Sequence, residues 1–213
     1  MPRPNNRMLG LAAAWMLLAA TAGAQIMRRP EVRRPPNWAG ISLGITQGFT
    51  VRDGATSSTW QFGSGLEYAA RLERPTGSGA FHVGVQGSFA RLPVAYASSS
   101  FTGEAKAHVT QLMALLRYGG GYGFHPVYEL SAGAIGFSDF RSNDTQQVSI
   151  STNSDYDPKF GLGYGFGFGL SSTTAIEIVQ EFGIVLHQRT GLAASESNYP
   201  RVYVTRLAGK LAF

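Results

Sequence analysis

Apolar side chains recur at every second position through most of this chain. The clearest run is 158–170, where large apolar residues alternate with Lys159 and five glycines. A repeat of two residues predicts β-strands, because successive side chains of a strand point to opposite faces. Eight runs of this kind occur, at 38–51, 58–73, 80–93, 105–118, 127–140, 158–170, 175–187 and 203–213.

One face of each run is bulky and apolar, and the other is small or polar. The pattern places Phe49 on the apolar face of the first run and Trp60 and Phe62 on that of the second. The last run sets Tyr203, Leu207, Leu211 and Phe213 against Arg206 and Lys210. We therefore expect lipid on the apolar face and a crowded interior on the other.

The connections between the runs alternate in character. Segments 74–79, 119–126 and 171–174 are short or rich in turn residues, whereas 94–104, 141–157 and 188–200 are longer and polar. Short turns on one rim and polar loops on the other are typical of a transmembrane β-barrel. The prediction is an all-β, eight-stranded antiparallel up-and-down barrel over 38–213. A lipocalin-like soluble barrel is the alternative, but its bulky residues would point inward.

Composition and charge exclude some kinds of chemistry and some kinds of partner. Glycine contributes 27 of 213 residues, and no cysteine is present, which excludes disulfides and thiol chemistry. The formal net charge is +5, yet from residue 38 onward 12 Lys and Arg face 12 Asp and Glu. A nucleic-acid partner loses its support, because such a partner needs a basic face on the folded domain.

The N-terminus has the parts of a secretory signal. Arg3 and Arg7 precede the apolar run 8–20, and Ala22-Gly23-Ala24 supplies small residues for cleavage. We predict a cleaved signal peptide at 1–24 and a basic, Pro-rich leader at 25–37. The apolar run is shorter than the roughly 20 residues of a membrane helix.

The signal, the eight alternating runs and the terminal Phe213 together resemble the small outer-membrane β-barrel proteins of the OmpA/OmpX type. The resemblance implies a location in the outer membrane, insertion by the outer-membrane assembly machinery, and a monomer. It also implies that Arg206, Leu211 and Phe213 act as an assembly signal, although Ala208 stands where glycine is usual. The resemblance implies function poorly, because this fold serves many functions.

Inward charges on the last two runs predict an ion-pair cluster. A register with residue numbers summing to 387 would pair Glu177 with Lys210 and Glu181 with Arg206. Glu67 and Arg71 on the second run would extend the cluster, since a buried charge needs a partner. Aromatic residues are expected in two belts at the lipid interfaces: Trp60, Phe62, Tyr68, Phe81, Tyr118, Tyr128 and Phe213.

No catalytic, cofactor or metal residues are predicted. His82, His108, His125 and His187 are dispersed, without an evident Ser and acid partner. We expect a structural or surface-interaction protein, not an enzyme. Its apolar strand faces would contact membrane lipid, and its longer loops would contact an unknown extracellular ligand. A narrow pore or conduit for ions or small hydrophobic molecules, as in OmpW-like barrels, is the alternative, and a lipid-modifying barrel enzyme is a remote one.

Overall fold

The computed structural model describes residues 37–54, 57–76, 80–98, 102–142, 155–187 and 198–213. The predicted signal peptide and all of the leader except Asn37 lie outside the described residues. The described residues form ten strands: β1 Trp38–Thr46, β2 Phe49–Asp53, β3 Ser58–Phe62, β4 Gly65–Thr76, β5 Phe81–Ser98, β6 Thr102–Tyr118, β7 Gly123–Ser142, β8 Asp155–Gly169, β9 Thr174–Val185 and β10 Arg201–Ala212. Within these ranges, no helix is long and apolar enough to cross a membrane.

The ten strands form one closed eight-stranded barrel, because two of the barrel strands are each interrupted once. β1 continues into β2 after two residues, and β3 continues into β4 in the same way. Every neighbouring pair is antiparallel, and β1 closes the cylinder by pairing with β10 from Trp38↔Ala212 to Thr46↔Val204. The predicted eight-stranded antiparallel barrel is confirmed.

Both chain ends of the barrel lie at one rim. Asn37 and Phe213 exchange backbone hydrogen bonds there, with N···O distances of 3.3 and 3.0 Å. Strands β4 and β5 reach this rim at Thr76 and Phe81, and connections 119–122 and 170–173 join strands there; we call it the turn rim. At Gly119 the backbone has a φ of 124°, a conformation that L side chains rarely adopt. The opposite end is called the loop rim.

The first two barrel strands are each interrupted by a short break, and the two breaks lie beside each other at the same level. Residues 47–48 separate β1 from β2, and 63–64 separate β4 from β3. The two breaks contact each other, because the Gly48 amide donates to Ser64 Oγ at 3.2 Å. Each break changes which alternate positions face inward, so Phe49 and Phe62 point into the barrel.

The barrel changes character along its axis. On β5 and β6 the outward residues Phe89 and Leu112 are apolar, but the next ones toward the loop rim are Arg91 and Thr110. Inside, the change runs the other way, from Gln111 to Val109 on β6. On β5 and β6 the turn-side part therefore suits lipid outside and polar groups inside, whereas the loop-side part has the polarity of a soluble β-protein. This agrees with strands that extend beyond a bilayer.

Candidate functional site

The interior is the candidate site, and its turn-side half holds two layers of charged side chains. The layer nearer the turn rim, here called the turn-side layer, consists of Arg71, Glu73, Arg117, Glu129, Glu177 and Lys210. All six are buried. Arg117 lies at its centre: Nη1 donates to Glu73 at 2.9 Å, Nη2 donates to Glu177, and Nε lies 3.4 Å from Glu129. Three acids and three bases make the layer neutral.

Lys210 and Arg71 complete the turn-side layer from the two neighbours of β1. Lys210 Nζ donates to Glu73 at 2.5 Å, and Arg71 Nη1 donates to Glu129 at 2.6 Å. Gly40 of β1 lies between them. A Cβ there would stand 3.0 Å from Arg71 Cγ and 3.2 Å from Lys210 Cγ. The inward glycine therefore makes room for two long cations.

The second layer is a closed hydrogen-bonded ring, which we call the middle ring. It consists of Glu67, Gln111, Lys159, Glu181 and Arg206. Arg206 donates to Glu67 at 2.8 Å and to Glu181, and Lys159 donates to Glu181 at 2.5 Å and to Gln111. The Gln111 side-chain amide closes the ring by donating a hydrogen bond to Glu67 at 2.9 Å. The ring joins β4, β6, β8, β9 and β10 across the bore, and its two acids balance its two bases.

Glycines on β8 and β9 leave the space that the middle ring fills. A Cβ at Gly161 would stand 3.2 Å from Glu181 Oε1, and one at Gly183 would stand 2.5 Å from Lys159 Cε. The alternating glycines of the 158–170 run thus form a flat wall against which long polar side chains lie. Because each buried ion here has an opposite charge beside it, the large penalty of an unpaired buried ion is avoided.

Between the middle ring and the loop rim, the bore is mainly apolar. This apolar cluster comprises Phe49, Val51, Trp60, Phe62, Ala90, Leu92, Val94, Tyr96, Ala105, Ala107, Val109, Ile135, Phe137, Val185, Val202 and Val204, with Phe140 packed against it. Phe49 and Phe62 stack with centroids 4.6 Å apart, and Trp60 contacts Phe140 at 5.1 Å. Side chains therefore fill the loop-side bore as well.

A buried polar group lies beside the apolar cluster. His187, just after β9, has its Nδ1 2.6 Å from Asp157 Oδ2 and its Nε2 3.8 Å from Asp53 Oδ1. Its ring also contacts Trp60, at 5.7 Å. The group links β2, β8 and the end of β9. The sequence showed His187 only as one of four dispersed histidines, and neither carboxylate was predicted, because both lie far from it in the chain.

The predicted ion-pair residues meet, but in a different register. β9 and β10 pair Val179 with Arg206 and Ala175 with Lys210, so the predicted register is wrong by two residues. A shift of two keeps the same faces inward, which is why the alternation could not exclude it. Diagonal contacts still form: Arg206 pairs with Glu181, and Lys210 Nζ lies 3.5 Å from Glu177.

Two of the predicted interface aromatics are wrong. Trp60 and Phe62 are only 5% and 4% exposed and lie in the apolar cluster, because the break at 63–64 turns β3 over relative to β4. Tyr68 and Phe213 point outward and are 58% and 64% exposed. The other three also lie outside: Phe81, Tyr118 and Tyr128. Tyr118 contacts Phe81 at 5.1 Å and Tyr128 at 6.4 Å near the turn rim.

The remaining predicted residues are placed as follows. Of the assembly-signal residues, Leu211 and Phe213 face outward and Arg206 belongs to the middle ring. His82 lies 3.6 Å from Glu73 and His125 lies 3.9 Å from Glu177, both at the turn end of the bore. Among the described residues, no group of three or more His, Asp or Glu is arranged to hold a metal ion.

Solved structures share this fold. The outer membrane protein OprG from Pseudomonas aeruginosa matches with a TM-score of 0.56 and 13% identity, over 84% of this chain and 98% of that one. Neisserial surface protein A matches with a TM-score of 0.57 and 6% identity, over 83% and 97%. These likenesses show the fold. No protein-family model matches the sequence, and no curated protein matches it either.

Proposed function

We propose that this protein is a non-conducting barrel of the outer membrane with a structural or surface-interaction role, and that it is not an enzyme. The observation that carries the proposal is the closed middle ring. Five side chains from five strands span the bore at one level, and each charge has a partner of opposite sign. Eight strands leave a bore that side chains can fill, and here they fill it.

The proposal extends to the partners. The apolar outward face would contact membrane lipid, and the chain would be inserted as a monomer by the outer-membrane assembly machinery. An unidentified extracellular ligand would bind at the loop rim. Of the loops that the sequence pointed to, 99–101, 143–154 and 188–197 lie outside the described residues.

Solute flux through liposomes tests the closed bore. The refolded chain is incorporated into liposomes, which are then diluted into isotonic arabinose, and swelling is followed by light scattering. We expect the swelling rate of protein-free liposomes, with a known porin as the positive control. Swelling that rises with the amount of folded protein would overturn the proposal.

A second function has one observation in its favour. The loop-side half of the bore is lined by apolar side chains such as Phe49, Phe62 and Phe137. Such a lining suits a conduit for small hydrophobic molecules. In that case the folded protein should bind the fluorescent probe N-phenyl-1-naphthylamine saturably, and filling the bore with Ala107→Phe should abolish binding. The closed barrel predicts no saturable binding by the wild-type chain.

A further inference from the structure

Three cationic side chains project from the outward faces of neighbouring strands near the loop rim. They are Arg91 on β5, Lys106 on β6 and Arg141 on β7, and all three residues are exposed. Lys106 and Arg141 are direct partners in the ladder between β6 and β7. Like charges directly opposite each other on antiparallel strands are destabilising, so this arrangement favours an anion between them.

An irregularity in β7 shapes this basic patch. The register between β6 and β7 shifts between Lys106 and His108, and Asp139 has a φ of 50°, which is uncommon outside glycine. Asp139 Oδ1 lies 2.7 Å from Arg141 Nε, and Oδ2 lies 3.4 Å from His108 Nδ1. The bulge therefore turns an acid toward the patch and holds the Arg141 guanidinium in place.

One carboxylate does not neutralise the three cations. The hydrogen bond from Arg141 is the main cause that lowers the pKa of Asp139, and the charges of His108 and Arg91 add to it. Asp139 is thus ionised at neutral pH and already engaged by Arg141. Among the described residues, no carboxylate forms an ion pair with Lys106. Glu104 lies one outward position farther toward the loop rim on β6.

The patch begins where the apolar outward surface of β5 and β6 ends, as expected for a site at the lipid headgroups. Phe89 and Leu112 are the last large apolar residues on the outward faces of β5 and β6 before it. Phe89 contacts the His108 ring with centroids 5.0 Å apart, so the apolar surface continues directly into the basic one. An amphiphile would fit here with its acyl chain on the apolar surface and its anionic group on the basic patch, nearer the loop rim.

We propose that Arg91, Lys106 and Arg141 bind the phosphate of a phosphorylated lipid in the loop-side leaflet. The guanidinium of Arg141, oriented by Asp139, suits two-point contact with phosphate oxygens, and Lys106 supplies a point charge. The inference requires that the barrel lies in a bilayer, and it is independent of whether the bore conducts.

Native mass spectrometry of the full chain in a zwitterionic detergent tests the inference. The probes are dimyristoyl phosphatidic acid and dimyristoyl phosphatidylcholine, which differ only in the headgroup. We expect preferential retention of phosphatidic acid, and a roughly tenfold weaker apparent affinity in the double variant Lys106→Gln/Arg141→Gln. Lys106→Arg should keep the wild-type affinity.

The control removes two charges elsewhere. Arg74→Gln/Arg201→Gln takes away one exposed arginine near each rim, outside the patch, and should leave the affinity within about twofold. Equal retention of both lipids, or equal loss in both double variants, would overturn the inference. So would patch-dependent binding of dextran sulfate without binding of phosphatidic acid, which would indicate a soluble polyanion. Each variant is checked by heat-modifiable gel migration, and Lys106→Gln alone replaces the double variant if that variant does not fold.

Discussion

Arg206 donates from Nε to Glu67 Oε1 at 2.8 Å, although β1 separates the strands that carry them. The contact is possible because Gly44 of β1 has no side chain at the crossing point. A Cβ at Gly44 would stand 3.0 Å from Arg206 Cγ and 3.1 Å from Val204 Cγ1. A small residue on one strand thus allows two long residues on its neighbours to meet over it.

Gly44→Val tests this crossing. The added methyl groups would push Arg206 away from Glu67, and overpacking of this kind costs about 1–3 kcal/mol. We expect a lower urea midpoint for the loss of heat-modifiable migration. Gly209→Val is the matched control on β10, because a Cβ there meets no heavy atom within 4 Å. Equal midpoints for the two variants would contradict the crowding argument.

Charge balance in the middle ring makes a second prediction. Glu181→Gln leaves Lys159 and Arg206 with one acid between them, and breaking a buried ion pair costs about 3–5 kcal/mol. Lys159→Met/Glu181→Gln restores neutrality and should be more stable than the single variant. Urea midpoints provide the measurement. A double variant less stable than Glu181→Gln would show that charge balance does not govern this layer.

The inward direction of Trp60 can be tested by quenching with brominated lipid. In a chain that begins at Gln25 and carries Trp38→Phe, Trp60 is the only tryptophan. We expect brominated phospholipid to quench its fluorescence weakly, since the ring lies inside the bore. Trp38→Phe/Trp60→Phe/Tyr68→Trp is the control, because position 68 faces outward and should be quenched several-fold more. Strong quenching of Trp60 would place it in the lipid.

Alternation alone predicted the barrel and most of its faces, but not the two breaks. Each break contains a glycine, Gly48 or Gly63. These glycines could not identify the breaks in the sequence, because many other glycines of this chain lie inside regular strands. The alternation therefore placed Phe49, Trp60 and Phe62 on the wrong side. Each break shifts the alternation by one residue, so that the inward positions on its two sides, such as Thr46 and Phe49, are three residues apart. The pattern of apolar residues does not show this shift.

Interior charges could be assigned to a face but not to partners. Arg117, Glu129 and Lys159 all lie at inward positions of their runs. Some of their contacts join neighbouring strands, as between Arg117 and Glu129, but others cross the bore. Arg117 meets Glu177, which lies 60 residues away in sequence. Such pairs depend on the stagger of the closed barrel, which sequence alternation does not contain. The alternation led us to predict a pairing only for the acids and bases of the last two runs.

Single-channel recording in planar bilayers is the sharpest test of whether side chains close the bore. The wild-type chain, shown to be folded by heat-modifiable migration, is added to a bilayer under an applied voltage in molar salt. We expect a baseline without stepwise openings, since two neutral polar layers and an apolar cluster block the path. Stable, discrete openings that appear only with the folded protein would contradict it.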